Sequence, residues 1–298
     1  MREKFAALKK KLKWVDPFTY VDLFILPKLH ALNKNLQLTV FVASYLILLF
    51  LVFLVLGVTP FFLIALSAFY VYLFFFEKEE FLDWGIYLLS AFIFAAAIYS
   101  LLGLALGTAS PMVIVVSGSM EPLYHRGDVI LMQGVSFEQF AGQEISLNQP
   151  LSSTPFASFA KTIPESPSFS NPLTAIQFND WQQLSIDKEG SIVVYFSERI
   201  QEPIIHRIAA KIKAPDGDYL LTKGDSPNNY TIDQDCGAIS YGVPEKNCIT
   251  LYPVKEEQLQ GRALLNVPVV GCVKLWLFDN LQSLVTKGSL PQEFSGIC

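Results

Sequence analysis

Long stretches without charge dominate the first third of the chain. No charged residue occurs from Leu36 to Phe76, a run about twice the roughly 20 residues that one helix needs to cross a bilayer. A break is expected at Gly57-Val58-Thr59-Pro60, because proline lacks a backbone donor and restricts the residue before it. The pattern therefore predicts two membrane helices, over about 36–56 and 60–76.

A third uncharged stretch follows a short charged segment. Residues 77–83 are rich in acids, whereas residues 84–107 carry no charge and begin with Trp84 and Tyr87, which are placed like interfacial anchors. We predict a third crossing over 84–107. A cleavable secretory signal is not expected, since the first apolar run starts late and exceeds the short apolar core of such a signal.

Positive charge is concentrated before the first predicted helix. Cytoplasmic segments of membrane proteins carry an excess of Lys and Arg, so we expect residues 1–35 in the cytoplasm. After three crossings of the cell membrane, residues 108–298 would lie outside. The acids of the first segment are Glu3, Asp16 and Asp22, and its more numerous bases are Arg2, Lys4, Lys9, Lys10, Lys11, Lys13, Lys28 and Lys34.

Beyond the third stretch, short segments of polar and apolar residues are separated by turn residues. This pattern predicts a mainly β extracytoplasmic domain. Residues 135–187 are rich in Ser, Pro, Phe and Gln and are typical of a long insertion, for which a partly ordered excursion without its own activity is the simpler interpretation. The predicted strands lie at about 111–116, 128–132, 191–196, 204–212, 219–222, 262–267 and 269–276.

Composition agrees with a membrane anchor joined to a water-exposed domain. The 298 residues are 52% hydrophobic, with a mean hydropathy of +0.38, but the apolar excess ends near Thr108. Beyond that point thirteen Lys and Arg stand against twenty Asp and Glu, a net charge of −7. No basic cluster is present there, so a nucleic-acid partner is not expected.

All four cysteines fall in the outer part, where disulfides are chemically permitted. Cys236 and Cys248 close a short loop and are the first pair to test. With Cys272 and Cys298 also present, the connectivity stays open. Zinc is not expected, because the CxxC spacing and the histidines that would support it are missing.

One serine lies in a turn that suits a nucleophile. Ser117-Gly118-Ser119-Met120 follows the first predicted strand, and Gly118 allows the backbone to turn sharply beside a substrate. The Ser119 hydroxyl is a weak nucleophile unless a base and oxyanion donors lie within reach. By itself Ser-Gly-Ser is common in turns, so the motif needs partners elsewhere in the chain.

The chain offers three histidines as the base. His30 belongs to the cytoplasmic end. His125 is only six residues from Ser119 and could reach its hydroxyl only if the turn folded tightly back. His206 lies in a predicted strand, a rigid place for a base whose pKa is ordinarily near neutrality, and it is the preferred candidate.

A carboxylate is also required, to hold the imidazole in one tautomer and to stabilise its charged form. Candidates cluster in Thr222-Lys223-Gly224-Asp225 and in Ile232-Asp233-Gln234-Asp235. The ordinary interpretation of Lys-Gly-Asp alone is a hairpin turn.

Taken together, these motifs resemble a known family. The order is Ser-Gly-Ser-Met-Glu-Pro from Ser117, then His206-Arg207 in a hydrophobic strand, then Leu-Thr-Lys-Gly-Asp from Leu221, then Val-Pro-Val-Val-Gly from Val267. It is similar to the type I signal peptidases, specifically the branch of archaea and the endoplasmic reticulum. The resemblance covers Val113 to about Trp276 without the long excursion.

The resemblance implies a role for each matching residue. Ser119 matches the nucleophile, and His206 stands where the bacterial branch has a lysine base, so a Ser-His enzyme is implied. Ser117, with the amide of Ser119, is the implied oxyanion donor.

Two aspartates match the family's acidic motif. Asp225 matches its invariant turn aspartate, and Asp233 matches the later aspartate that orients the histidine. The chain departs from the family by two extra residues before Asp233, which leaves Asp235 as the alternative acid.

The resemblance implies a membrane-bound signal peptidase I, a serine endopeptidase that cleaves signal peptides from secreted preproteins after small residues at the outer membrane surface. Its partners would be such preproteins, the lipid bilayer and, as a further candidate, the protein translocation machinery. The mechanism requires no metal and no organic cofactor. Two alternatives stay open: a non-catalytic binding module of a secretion complex, and a dedicated peptidase for pilin-like or matrix proteins.

Overall fold

The chain divides by its internal contacts into two compact units, Met1–Leu101 and Leu102–Cys298. The first unit is helical and the second is mainly β. The computed structural model describes residues 16–56, 60–76, 80–164, 173–236 and 248–276.

Long helices make up most of the first unit. Asn33 precedes the first of them, and its side-chain Oδ1 accepts the N–H of Leu36 at 2.9 Å. Pro60 is the first residue of the second helix, where its missing N–H leaves no bond unmade. The helices are α1 (Lys34–Leu56), α2 (Pro60–Phe76) and α3 (Phe81–Leu106), preceded by short segments at Pro17–Tyr20, Val21–Ile25 and Leu26–His30.

Aromatic residues join these helices. The Phe41 ring of α1 packs against Tyr70 of α2 and edge-on against Phe81 near the start of α3, with ring centroids 5.1 Å and 5.0 Å apart. The hydroxyls of Tyr45 and Ser67 form a hydrogen bond of 2.8 Å between α1 and α2. The first unit is therefore a packed group of three helices.

Two stretches of the described residues are long and apolar enough to cross a bilayer, Lys34–Val52 and Phe81–Leu106. The corresponding stretch of α2, Leu66–Phe76, is shorter. Length and composition thus support two of the three predicted crossings, and the middle one stays a prediction. The predicted break at 57–59 and the basic residues before position 16 lie outside the described residues.

The second unit is built from β-strands. Apart from β3, which is parallel to β8, the strand pairings among the described residues are antiparallel. The described strands are β1 (Met112–Ile114), β2 (Val129–Gln133), β3 (Glu144–Ser146), β4 (Ala160–Pro164), β5 (Leu173–Phe178), β6 (Gln183–Ser185), β7 (Ile192–Ser197), β8 (Glu202–Ala214), β9 (Gly217–Lys223), β10 (Val254–Lys255) and β11 (Leu259–Val267).

The main sheet has the order β1-β2-β11-β7-β8-β9-β10, so β1 lies at one edge. The long strand β8 lies inside the sheet and pairs with β7 through its first half and with β9 through its second. His206 lies in the first half of β8, opposite Val193 of β7 and directly before Arg207, at which the pairing with β9 begins. Its backbone is held by the ladder to β7, which makes it a precise mount for a side chain.

The predicted insertion is a packed part of the domain. Strands β4, β5 and β6 form a second sheet, and β3 joins the main one. Its side chains share a buried cluster with residues of β8, β9 and the loop after β9; this cluster includes Leu151, Phe156, Phe159, Phe178, Ile212, Leu221 and Ile232. The described part of the insertion is therefore ordered, and residues 165–172 lie outside the described residues.

The strand predicted at 269–276 is wrong. Residues 268–271 form a turn, and a short helical segment occupies 272–276. Val269 has φ 57°, which a continuing strand excludes, and its N–H donates to Asp128 Oδ1 at 3.2 Å. Gly271 permits the turn, since a Cβ there would lie 2.6 Å from Ile114 Cγ2 and 2.8 Å from the Gly127 carbonyl oxygen.

Cys236 and Cys248 form a disulfide, the pair that sequence spacing put first. It joins the end of the loop after β9 to the segment leading to β10. Cys272 is buried, and Cys298 lies outside the described residues.

Candidate active site

The turn after β1 presents Ser119 at the surface of the second unit. Met120 is completely buried and anchors this turn, and its carbonyl accepts the N–H groups of Leu123 and Tyr124 at 3.0 Å and 3.1 Å. The Glu121 N–H donates to the Gly118 carbonyl at 3.2 Å. Ser119 therefore stays partly exposed while the residue after it is held in the core.

Ser119, His206 and Asp233 form a continuous chain of hydrogen bonds. Ser119 Oγ lies 2.9 Å from His206 Nε2, and His206 Nδ1 lies 2.7 Å from Asp233 Oδ2. His206 and Asp233 are each only 2% exposed. Because an ionised carboxylate only accepts hydrogen bonds, Nδ1 carries the imidazole hydrogen and Nε2 is free to accept the serine proton.

The loop after β9 places Asp233 by its backbone. The Asp233 N–H donates to the Thr222 carbonyl at 2.9 Å, and the Asp233 carbonyl accepts the N–H groups of Ile249 and Thr250 at 3.1 Å each. Those two residues directly follow the disulfide partner Cys248. The acid is thus fixed between strand β9 and the disulfide-linked segment.

Gly224 brings this loop against the serine turn. A Cβ at Gly224 would lie 2.5 Å from the Ser119 carbonyl oxygen and 3.0 Å from His206 Nε2, so a side chain there would disrupt the contact. The Ser226 N–H donates to the same Ser119 carbonyl at 2.9 Å. The Lys-Gly-Asp motif therefore holds the serine turn against the histidine.

Lys223 braces the same loop. Its Nζ donates to the Gly224 carbonyl at 2.8 Å. Burial lowers the pKa of this ammonium, and the nearby carboxylates of Asp233 and Asp225 oppose that shift.

Asp225 was expected to be catalytic, but its carboxylate contacts Arg207 and not His206. Arg207 donates to its carboxylate through Nη2 at 2.6 Å and Nε at 2.8 Å. Arg207 Nη1 also donates to the carbonyls of Lys188 and Gly190. The hydrogen bond to Asp225 raises the pKa of Arg207, so the guanidinium keeps its charge. Asp225 therefore ties the Lys-Gly-Asp loop to β8, and its carboxylate is engaged by Arg207.

The two competing acids have different partners. Asp233 contacts His206, whereas Asp235 accepts a hydrogen bond of 2.5 Å from the hydroxyl of Thr162 in β4. The alternative acid thus contacts the inserted sheet.

Ser117 lies beside the nucleophile. It is exposed, and its hydroxyl donates to Ser119 Oγ at 3.3 Å, close enough to turn toward an oxygen bound next to Ser119. His125 is exposed as well, and its backbone N–H donates to Asp128. His30, in the first unit, pairs with Asp83 at 2.8 Å.

Two hydroxyls at the site were not found by sequence reasoning. Tyr195 OH and Thr222 Oγ1 donate to Asp233 Oδ2 at 2.8 Å and 2.6 Å. Thr222 belongs to the quoted Leu-Thr-Lys-Gly-Asp motif, which could have drawn attention to it. Tyr195 is one apolar position in a strand, and its sequence context carries no signal of this contact.

Among the described residues there is no cluster of three or more His, Cys, Asp or Glu side chains that could hold a metal ion. The arrangement instead has the parts of acyl-transfer chemistry: a hydroxyl, an imidazole that accepts from it and a buried carboxylate behind the imidazole. The three side chains have the arrangement of a Ser-His-Asp triad, here on a mainly antiparallel β domain.

Comparison with known proteins agrees with this arrangement. No family model matches the chain. It is 28% identical over 192 residues to the signal peptidase complex catalytic subunit SEC11 of Saccharomyces cerevisiae, in strains YJM789, RM11-1a and JAY291. The similarity covers 63% of this chain and 80% of each relative. This similarity supports the resemblance to the type I signal peptidases, in the branch typical of the endoplasmic reticulum and archaea.

Proposed function

We propose that this chain is a membrane-bound signal peptidase, a serine endopeptidase that removes signal peptides from exported preproteins. The observation that carries the proposal is the hydrogen-bonded chain from Ser119 through His206 to Asp233. The relatives named as catalytic subunits of the signal peptidase complex support the same activity.

The site supports attack by Ser119 with His206 as general base. Nε2 takes the Oγ proton as Oγ attacks the carbonyl carbon of the scissile peptide bond. The resulting imidazolium is stabilised by Asp233, which is already aligned on Nδ1. In the tetrahedral intermediate, the negative oxygen would be bound by the amide of Ser119 and the hydroxyl of Ser117.

The second half of the reaction uses the same groups in reverse. His206 gives its proton to the leaving amine, the peptide bond breaks, and the substrate's acyl group stays on Ser119 as an ester. His206 then takes a proton from the water that attacks the ester, and returns it to Ser119 Oγ as the ester bond breaks, which releases the carboxylic acid product and restores the enzyme. No step requires a group beyond these side chains and water.

The edge strand β1 supports binding of an extended substrate. It lies at one end of the main sheet and leads directly into the serine turn, so a substrate strand could pair with its free edge. Apolar side chains border this edge, among them Val116 and Leu123, which are half exposed. Such a surface suits the end of an apolar signal segment, and shallow pockets would admit only small residues before the cleaved bond.

Work at a membrane surface is supported by exposed apolar side chains on the outer unit. Leu265 is 55% exposed, Val270 59% and Val273 69%, with Leu264 and Val269 beside them. A surface that faces only water rarely carries so many neighbouring exposed apolar side chains; such a patch usually contacts another protein or a membrane. We further propose three crossings, a cytoplasmic amino-terminal segment and an extracytoplasmic catalytic unit, acting within a membrane complex as the name of SEC11 indicates.

Cleavage of a model preprotein in detergent tests the proposal. Ser119→Ala and His206→Ala should each lose at least about a thousandfold in cleavage rate, because members of such a unit fail together. Ser153→Ala and His125→Ala are matched controls at exposed positions and should cleave normally.

Near-normal processing by Ser119→Ala would end the proposal. A wild type that binds the preprotein but cleaves it no faster than Ser119→Ala would favour the binding-module alternative. Cleavage confined to pilin-like or matrix preproteins in a substrate panel would favour the dedicated peptidase.

A further inference from the structure

One oxygen of Asp233 collects three hydrogen bonds in a completely buried environment. Oδ2 lies 2.7 Å from His206 Nδ1, 2.8 Å from Tyr195 OH and 2.6 Å from Thr222 Oγ1. Tyr195 and Thr222 have no exposed surface, and Gln234 next to them is 1% exposed. The triad scheme assigns roles to His206 and Asp233 but none to these three neighbours.

The direction of the Thr222 hydrogen bond follows from Gln234. The backbone N–H of Thr222 can only donate, and it donates to Gln234 Oε1 at 3.0 Å, which fixes the orientation of the amide. Gln234 Nε2 therefore faces Thr222 Oγ1, at 3.2 Å, and donates to it. The Thr222 hydroxyl thus accepts the hydrogen bond from Gln234, and it donates its own single hydrogen to Asp233.

The Tyr195 hydroxyl is also a donor. Burial, followed by the charge of Asp233, raises the pKa of this phenol well above its usual range, so it carries its proton at neutral pH. The Asp233 carboxylate has only hydrogen-bond acceptors, so the Tyr195 hydroxyl is the donor in this pair. Tyr195 thus donates to Asp233 from strand β7, which carries no residue of the triad.

We infer that Tyr195, Thr222 and Gln234 are positioning residues that hold the Asp233 carboxylate aimed at His206 Nδ1. Two fixed hydroxyls satisfy the buried oxygen and restrict rotation of the carboxylate, which keeps the imidazole in the tautomer that leaves Nε2 open for Ser119. This inference rests on the proposed peptidase function only for its kinetic consequence. The tautomer itself is a property of the folded protein.

Variants that remove single hydroxyls test the inference in the full chain in detergent. Tyr195→Phe removes only the phenol oxygen. Thr222→Ala and Thr222→Ser form a matched pair, since both lose the methyl group and only Ala loses the hydroxyl. For each variant kcat and KM are measured on a model preprotein, and thermal unfolding is recorded to verify folding.

Tyr195→Phe should lower kcat about tenfold and leave KM within about twofold, because alignment of the base affects the chemical step more than substrate binding. Thr222→Ala should lose about tenfold in kcat relative to Thr222→Ser. Unchanged kcat in both Tyr195→Phe and Thr222→Ala, or equal kcat in the Thr222 pair, would overturn the inference.

Nitrogen-15 NMR of the imidazoles gives a readout independent of activity, and the chain contains only three histidines. The wild type should show His206 protonated at Nδ1, whereas Tyr195→Phe and Thr222→Ala should show a mixture of tautomers. If the wild type cleaves no substrate, the proposed function fails while this measurement still decides the inference. The same Nδ1-protonated signal in both folded variants would reject it.

Discussion

At the scale of single residues, neighbouring aspartates have different roles because different side chains face them. Asp233 lies behind His206, and its contact aligns an imidazole. Asp225 faces the planar guanidinium of Arg207, which holds it by two nitrogens and also reaches the carbonyls of Lys188 and Gly190. Sequence similarity assigns both aspartates to one motif. Their partners differ: Asp233 aligns the base His206, whereas Asp225 supports the loop through Arg207.

This difference predicts distinct effects of substitution. Asp233→Ala should lose about a thousandfold or more in kcat, because no carboxylate then aligns His206. Asp225→Ala should lower the free energy of unfolding by about 3 kcal/mol, because it leaves the mostly buried Arg207 charge unpaired. Thermal unfolding and steady-state cleavage measure the two effects.

Arg207→Lys is the control for this prediction. Lysine keeps the charge but cannot form the two-nitrogen contact. Arg207→Lys should therefore retain only part of what the ion pair contributes to the free energy of unfolding. Equal losses of kcat in Asp225→Ala and Asp233→Ala, at equal stability, would contradict the assignment.

At the scale of elements, the insertion supports the loop that carries the acid. Ile232, directly before Asp233, is buried in the same cluster as Phe156 and Phe178 of the insertion. The carboxylate of Asp216, in the turn between β8 and β9, accepts the N–H groups of Leu151 and Ser152 at the insertion's edge. Burial would raise the pKa of Asp216, but these backbone bonds outweigh it and lower that pKa to about 2.

Phe178→Ala should therefore destabilise the outer unit as a whole. Truncating a completely buried Phe costs about 3–5 kcal/mol, and the shared core predicts one cooperative unfolding transition at a lower temperature. Calorimetry in detergent measures it.

Trp181→Ala is the matched control, because Trp181 lies in the next turn of the same sheet and is 83% exposed. It should leave the transition unchanged. A separate early transition for Phe178→Ala, with normal cleavage after it, would indicate that the insertion folds apart from the site.

At the scale of the whole molecule, apolar surface is distributed in two ways. In the helical unit it covers long, mostly uncharged helices, as expected for side chains facing lipid. In the β unit it is most concentrated on β11 and the segment after it, although exposed apolar side chains such as Leu123 and Trp181 also lie elsewhere on that unit. The second patch is the feature that a freely soluble peptidase would not need.

We expect the double variant Val270→Glu, Val273→Glu to process membrane-inserted preprotein in vesicles about tenfold more slowly, since charges at a bilayer contact are costly. Cleavage of a short soluble peptide in detergent should be unchanged. Trp181→Glu, an exposed change in the insertion, is the control and should affect neither assay. An equal loss in both assays would place the defect in the site instead of at the membrane.

Most of the architecture could be predicted because it depends on local patterns. Uncharged runs specify the long helices, and alternation with turn residues specifies strands such as β7, β8 and β9 within a few residues of their observed ends. The predicted strand at 269–276 failed because Asp128 and the close approach of Gly271 to Ile114 turn the chain there, and both contacts are distant in sequence.

The sequence by itself determined the long apolar helices, the mainly β second unit and the identity of the serine and histidine that meet, since these depend on hydrophobic pattern and on residue types in a recognisable order. Only the tertiary structure decided which aspartate meets the imidazole, that Tyr195 reaches the same carboxylate, and that the insertion packs behind both. Hydrogen bonds select partners by direction within about 3 Å, and that geometry arises only when distant strands are brought together in one sheet.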